Sequence, residues 1–274
     1  MTDFGLKVRM VVVGAILFGF YLASMTVVSA MFGIDLIWLL PLGLVVLPPL
    51  QYKLGKWRAL RGADDMPEEG QYLEVHRMTE ALARDMEVKK PKLKVMEMGT
   101  PNAFAVGRKG AGVVCVSTEL MAILDRDELE GVIAHEIAHI KNRDVITMII
   151  GQSIGMIVGW VAYIVYMAGG DRNAGSIIVG MVIANVAQLL VTAFVLAISR
   201  YREYVADDDA REAIGSGDPL ARALEKISRG AEGRESKVDD SMSALCIFNG
   251  DKSLLSKVFS THPPMEKRIA KLRG

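Results

Sequence analysis

Apolar and charged residues are segregated along this chain rather than interleaved. Met10–Ile34 holds 25 residues without a charge, Val145–Gly170 holds 26 and Asn173–Ser199 holds 27. Each exceeds the ~20 residues a helix needs to cross the hydrocarbon core of a bilayer, so each predicts a membrane span. A fourth run, Leu36–Tyr52, has 17 residues and carries Pro41, Pro48 and Pro49. It reads as a marginal, kinked span with Trp38 and Tyr52 at its interfaces; a buried helical hairpin is the alternative. Lys7 and Arg9 precede the first run, whose apolar stretch is longer than the ~7–15 residues of a signal-peptide core, which predicts an uncleaved anchor.

Between the spans the period changes. From Pro67 to Val88 a helical pattern runs through Leu73, Met78, Leu82 and Met86. LKVMEM (93–98) reads as a strand, and AFAVG (103–107) and VVCVS (113–117) flank RKGAG as a hairpin. The expected product is a small antiparallel sheet. STELMAILD predicts a helix, and Asp127 with Glu130 is the expected cap of the helix after it. Beyond the last span, YREYVADDDAREAI continues as helix, Asp218-Pro219 opens another, Arg229–Ser243 is polar loop, and a final helix follows His262-Pro263-Pro264. The organisation expected is therefore a membrane hairpin (1–52), a first soluble part (53–144), a second membrane hairpin (145–199) and a second soluble part (200–274).

Charge orients the spans. Lys7, Arg9, Lys53, Lys56, Arg58, Arg61, Lys141, Arg143, Arg200 and Arg202 lie on the side of the amino terminus, whereas the opposite turns hold only Arg172. By the positive-inside rule both termini and both soluble parts are cytoplasmic. In total, 32 basic residues balance 32 acidic ones among 274, which argues against nucleic acid as the main partner. The spans carry no charged residue for a transport path. No GxxxxGK[ST] loop occurs, so ATP is not expected to take part. Cys115 and Cys246 are far apart and lack metal-ligand spacing, consistent with reduced packing residues facing a reducing compartment.

Against that background His135-Glu136-Ile137-Ala138-His139 stands out. At ~100° per residue, positions four apart on a helix lie about 40° from alignment, so His135 and His139 share one face and can grip one ion. Glu136 borders the same ion without being forced to ligate it, the position a general base needs. Gly131, Ala134 and Ala138 are small residues expected to leave room around the site. A catalytic zinc takes three protein ligands. Glu203, just past the last span, is the candidate for the third. Asp207, four residues on, is suited to accept an N–H from a ligating histidine. His76 reads as a surface or core histidine. With His139 six residues before one span and Glu203 four after another, the site is expected close to the membrane surface.

HEIAH, two spans, then REYVAD, with PNAFA upstream and THPP downstream, resembles the HtpX-type membrane zinc metalloproteases, relatives of the CAAX prenyl proteases. The resemblance runs over nearly the whole chain. It implies an α-helical integral membrane protein with four transmembrane helices and a mainly α (α+β), zincin-like cytoplasmic protease domain. It also implies one Zn2+ per chain on His135, His139 and Glu203, Glu136 as general base, and Asp207 supporting a ligating histidine. Asn102 and the Ala103, Phe104 and Ala105 that follow match a substrate-binding edge strand, His262 an oxyanion stabiliser and Arg268 a nearby structural arginine. Read from the residues alone, His262 equally serves as a helix cap and Asn102 as a turn residue. The function implied is broad-specificity, ATP-independent cleavage of unfolded or damaged membrane proteins, with self-cleavage among its reactions, at the inner membrane of a prokaryote. A CAAX-type processing protease and a non-enzymatic membrane scaffold are the alternatives.

Overall fold

A computed structural model describes residues 2–35, 38, 41–169, 173–231 and 263–274. His262, Cys246, residues 232–243 of the polar loop, Arg172 and part of the Leu36–Tyr52 run lie outside the described residues. The chain divides into two compact units, Met1–Leu54 with Ile146–Ser199, and Gly55–Val145 with Arg200–Gly274.

In the first unit the long uncharged runs form helices α1 (Thr2–Phe32), α6 (Asp144–Ala168) and α7 (Ala174–Ile214). Among the described residues these are the three helices long and apolar enough to cross a membrane. Leu17, Tyr21 and Met25 of α1 pack with Ile154, Ile157 and Val161 of α6 and with Val191 and Val195 of α7. Gly151, Gly155 and Gly159 are spaced four apart on α6 and face α7. A Cβ at Gly159 would lie 3.0 Å from the Ala184 carbonyl oxygen, and one at Gly151 2.7 Å from Val195 Cγ2. Small residues let the two backbones approach where lipid supplies no hydrophobic drive between helices. In the fourth run Leu42–Val46 is a π-helical turn, continued by α2 (Leu47–Ala59). Pro48 and Pro49 lack the N–H groups that would bond back into the preceding turn, which is why the ladder widens there.

The second unit holds a sheet of β1 (Asp64–Asp65), β2 (Lys92–Met96), β3 (Ala103–Val106) and β4 (Val113–Ser117), in the order β1-β2-β4-β3. The sheet is mixed, not antiparallel: β3–β4 is an antiparallel hairpin, but β4 returns between β2 and β3 and pairs with β2 in parallel. VVCVS is enclosed throughout and lies between β2 and β3, and β2, exposed at Lys92 and partly exposed from Lys94 to Met96, lies between β4 and the short β1.

Helix α3 (Tyr72–Asp85) starts later than the pattern predicts, and Val75 rather than Leu73 joins its buried stripe. Ser117 caps α4 (Thr118–Ile123), its Oγ accepting the Leu120 N–H at 3.0 Å. The motif helix, α5 (Arg126–Lys141), is capped by Asp125 with Glu128, two residues before the expected Asp127 and Glu130. Glu128 returns to the Asp125 N–H at 2.9 Å and also accepts from Lys226 of α8 (Asp218–Ala231) at 2.7 Å. The tertiary pairing with α8 selects this cap. Gly131 likewise admits α8 rather than opening the site: a Cβ there would lie 2.9 Å from the Leu220 amide nitrogen. Ala134 and Ala138 are also enclosed in the core. The last helix is α9 (Met265–Arg273).

Candidate metal centre

Helix α5 has a covered face toward the core, and His135 and Glu136 lie on it, 1% and 2% exposed. Helix α7 brings Glu203 and Asp207, one turn apart, to the same place, and α9 brings Arg268. His135, His139 and Glu203 each offer a ligand atom, and these atoms all lie within 4.8 Å of one another. His135 Nε2 and His139 Nε2 are 3.1 Å apart. Glu203 Oε2 is 3.6 Å from the first, and Glu203 Oε1 is 3.5 Å from the second. Four-coordinate zinc with bonds of 2.0–2.1 Å has ligand–ligand edges of ~3.4 Å, and each of these separations, taken with one or the other oxygen of Glu203, is close to that length.

Charge makes the same point. Among the described residues around these donors, Glu136, Glu203, Asp207 and Asp144 are buried carboxylates, and Arg268 and Arg202 are buried guanidiniums. With both imidazoles neutral, as metal ligation requires, two negative charges remain, a costly surplus away from water that a divalent cation neutralises.

Each imidazole is held from behind. His135 Nδ1 lies 3.0 Å from Asp207 Oδ1. Arg268 donates to that carboxylate through Nη2 at 2.7 Å and Nε at 2.9 Å, and its Nη1 is 3.1 Å from Glu203 Oε2. His139 Nδ1 lies 2.6 Å from Asp144 Oδ2. Arg202 donates to the Asp144 carbonyl oxygen at 2.8 Å and pairs with its carboxylate. An Nδ1–H given to a carboxylate leaves Nε2 as the lone-pair nitrogen facing the other donors.

In the metal-free chain the two imidazoles titrate apart. Burial and the Arg268 charge push His135 down, but hydrogen bonds to Asp207 and Glu203 outweigh them and hold it up at about 9. Burial dominates at His139, and the charge of His135 adds to it against the pull of Glu203, leaving it at about 4. Burial would raise Asp207, yet Arg268 and His135 bring it down to about 2.

The other candidate residues have different places. Asn102 is buried, and its Oδ1 accepts the N–H of Ala103 at 3.0 Å, which is turn chemistry. Its own N–H bonds Ser117 Oγ at 2.9 Å. Ala103 and Ala105 pack into the core that α5 shares, and Phe104 packs on the opposite face with Met98 and Cys115. The side chains of β3 are thus spent in packing, and what this terminal strand can offer is its backbone edge. His76 donates through Nε2 to the Met66 carbonyl oxygen, 3.0 Å away, as a core histidine. Sequence reasoning missed Asp144 and took Arg202 only as an orienting charge. Two signals pointed to the pair: Asp144 is the last charge before an uncharged run, five residues after His139, and Arg202 adjoins Glu203.

The chain is similar to known proteins over most of its length. Residues 69–274 match the family model described as Peptidase family M48. The "Protease HtpX homolog" of Halobacterium salinarum is 51% identical over 97% of this chain and 100% of its own length. Those of Pyrococcus abyssi and Salinibacter ruber are 41% and 39% identical over 73% of this chain, covering 72% and 73% of theirs. Among solved structures, S. mikatae Ste24p superposes with a TM-score of 0.60 at 20% identity. That match covers 99% of this chain and 65% of Ste24p, a likeness of fold.

Proposed function

The chain belongs to peptidase family M48 and is a membrane metalloprotease, and from that premise we propose that it is a zinc endopeptidase of the HtpX type that cleaves damaged or misfolded membrane proteins at the cytoplasmic face of a prokaryotic inner membrane, without ATP. The observation that carries the reading is the convergence of His135, His139 and Glu203 beside a buried Glu136, where buried carboxylates outnumber buried guanidiniums by two.

His135, His139 and Glu203 would hold the ion. When bound, it supplies Lewis-acid polarisation of the scissile carbonyl and acidifies water towards neutrality. Glu136 receives the proton of the attacking water and passes it to the leaving amine. Its burial keeps that carboxylate free of solvent competition. Arg268 and Asp207 hold His135 in register. The backbone edge of β3 from Asn102 to Ala105 takes an extended peptide by strand addition, which needs little side-chain selectivity and suits an unfolded substrate. The part assigned to His262, oxyanion stabilisation, belongs to a residue outside the described set.

Basic residues at the span ends support a cytoplasmic site and cytoplasmic termini, and the Leu36–Tyr52 run supplies the fourth span of this reading. Glu203 lies four residues beyond Ser199 within one uninterrupted helix, which favours substrates drawn from the bilayer.

The test is cleavage of unfolded casein by the full chain in detergent, with zinc or a chelator, beside Glu136→Gln. Zinc-dependent cleavage that the variant loses while keeping its metal supports the reading; equal cleavage by both sinks it. Equal or better cleavage of unmodified over prenylated peptides separates it from CAAX-type processing.

A further inference from the structure

The two imidazoles sit in matching cradles. Behind His135 stands Asp207, itself clamped by Arg268. Behind His139 stands Asp144, itself clamped by Arg202. All four supporting side chains are buried: Asp144 is 7% exposed, Arg202 4%, Asp207 1% and Arg268 0%.

We infer that Asp144 is a positioning residue for His139, held in place by Arg202, and that the metal centre needs this second carboxylate–arginine pair as it needs the first. The inference deepens the metalloprotease reading and rests on it.

The geometry gives Asp144 a specific task. His139 lies in the last turn of α5, three residues before Asn142 ends the helix and four before Arg143 turns with φ of 57°. An imidazole there is less enclosed than His135, with 16% of its side chain exposed against 1%. Packing alone therefore does not hold the ring. The 2.6 Å contact from Nδ1 to Asp144 Oδ2 fixes both its rotation and its tautomer, directing Nε2 to within 3.1 Å of the other imidazole. Asp144 is in turn the first residue of α6, and Arg202 reaches it from α7 through both its carbonyl and its carboxylate oxygens. That two-point grip prevents the carboxylate from rotating to other donors and supplies the charge that lets it remain ionised while buried. A carboxylate behind a ligating imidazole both orients the ring and raises its basicity, and removing one typically costs 10–100-fold in metal affinity.

The experiment uses the full chain in detergent loaded with Co2+, with metal affinity measured by chelator competition and the coordination read from the visible absorption of the cobalt. Asp144→Ala is expected to weaken Co2+ binding about 10–100-fold and to alter the visible bands; Asp144→Asn, which keeps an acceptor oxygen but not its charge, about tenfold. Asp207→Asn provides the reference for the first cradle, and Asp218→Asn, in the salt-bridge network of α8, the control expected to leave binding unchanged. A purely structural role for Asp144 would lower thermal stability yet leave affinity and spectrum at wild-type values, and that result overturns the inference. Should Asp144→Ala fail to fold, Asp144→Asn decides alone by the same criterion. Wild-type protein that binds no Co2+ removes the metal reading itself and this inference with it, whereas wild-type binding matched by both Asp144 variants removes only the inference.

Discussion

Helix α6 presents three glycines to α7, whereas α5 presents two histidines and a glutamate to buried carboxylates and arginines. In the first unit Ser153 donates to Gln51 at 2.7 Å, and among the described residues the helix contacts are mainly apolar side chains and glycines. In the second, charges are concentrated, with four buried carboxylates facing two buried guanidiniums around the histidines and the remainder left for a cation. The contrast follows from what each unit must do. A lipid-facing helix bundle gains nothing from buried charge and associates through shape. A hydrolytic site needs ionised groups out of water, and it retains them only if every one has a partner.

Several changes break or sharpen that contrast. The largest effect is expected at the site itself: Glu136→Gln should lower kcat on casein about 10²–10⁴-fold with metal content unchanged, because a general base is lost and no ligand is. Next, Arg268→Met leaves Asp207 and Glu203 buried without their counter-charge. It should destabilise the second unit by about 3–5 kcal/mol, read as a lower thermal midpoint in detergent. The same truncation of charge has no counterpart in the first unit, where the vulnerable property is space. Gly159→Leu drives a side chain into the Ala184 carbonyl, and overpacking of this kind costs about 1–3 kcal/mol, measurable as faster proteolysis of the α6–α7 hairpin.

A pH series should show the proton and the ion competing for one site. His135 is raised to about 9 in the metal-free chain, so below that pH a proton must leave before the nitrogen can bind metal. Affinity should therefore rise with pH, by up to about tenfold per unit, and level off as pH passes about 9. Chelator competition between pH 6 and 10 checks the slope, and a flat profile contradicts it. The smallest effect belongs to the membrane unit: Ser153→Ala should cost only about 0.6 kcal/mol, the average for such bonds between membrane helices.

Much of this was legible before any tertiary structure. The three long apolar runs became long helices because length and lack of charge are local properties. His135 and His139 share a face because helical spacing is local as well. Glu203 was found by its chemistry and its distance from a span end. Harder to see was anything decided by a distant partner. The cap of α5 moved to Asp125 because Glu128 is recruited by Lys226, nearly a hundred residues away. Gly131, expected to open the site, instead admits Leu220. Asp144 drew no role from the sequence, and its place beside Arg202 and His139 comes from the fold.

By itself, then, the order of residues determined which segments are apolar rods and which helix carries the paired histidines on one face, since helical period and side-chain identity act over a few residues. Only the tertiary structure decided that β4 inserts beside β2 in parallel and that His139, like His135, has a carboxylate and an arginine of its own. Those outcomes depend on burial and charge compensation between segments far apart in the chain, and local spacing does not encode them.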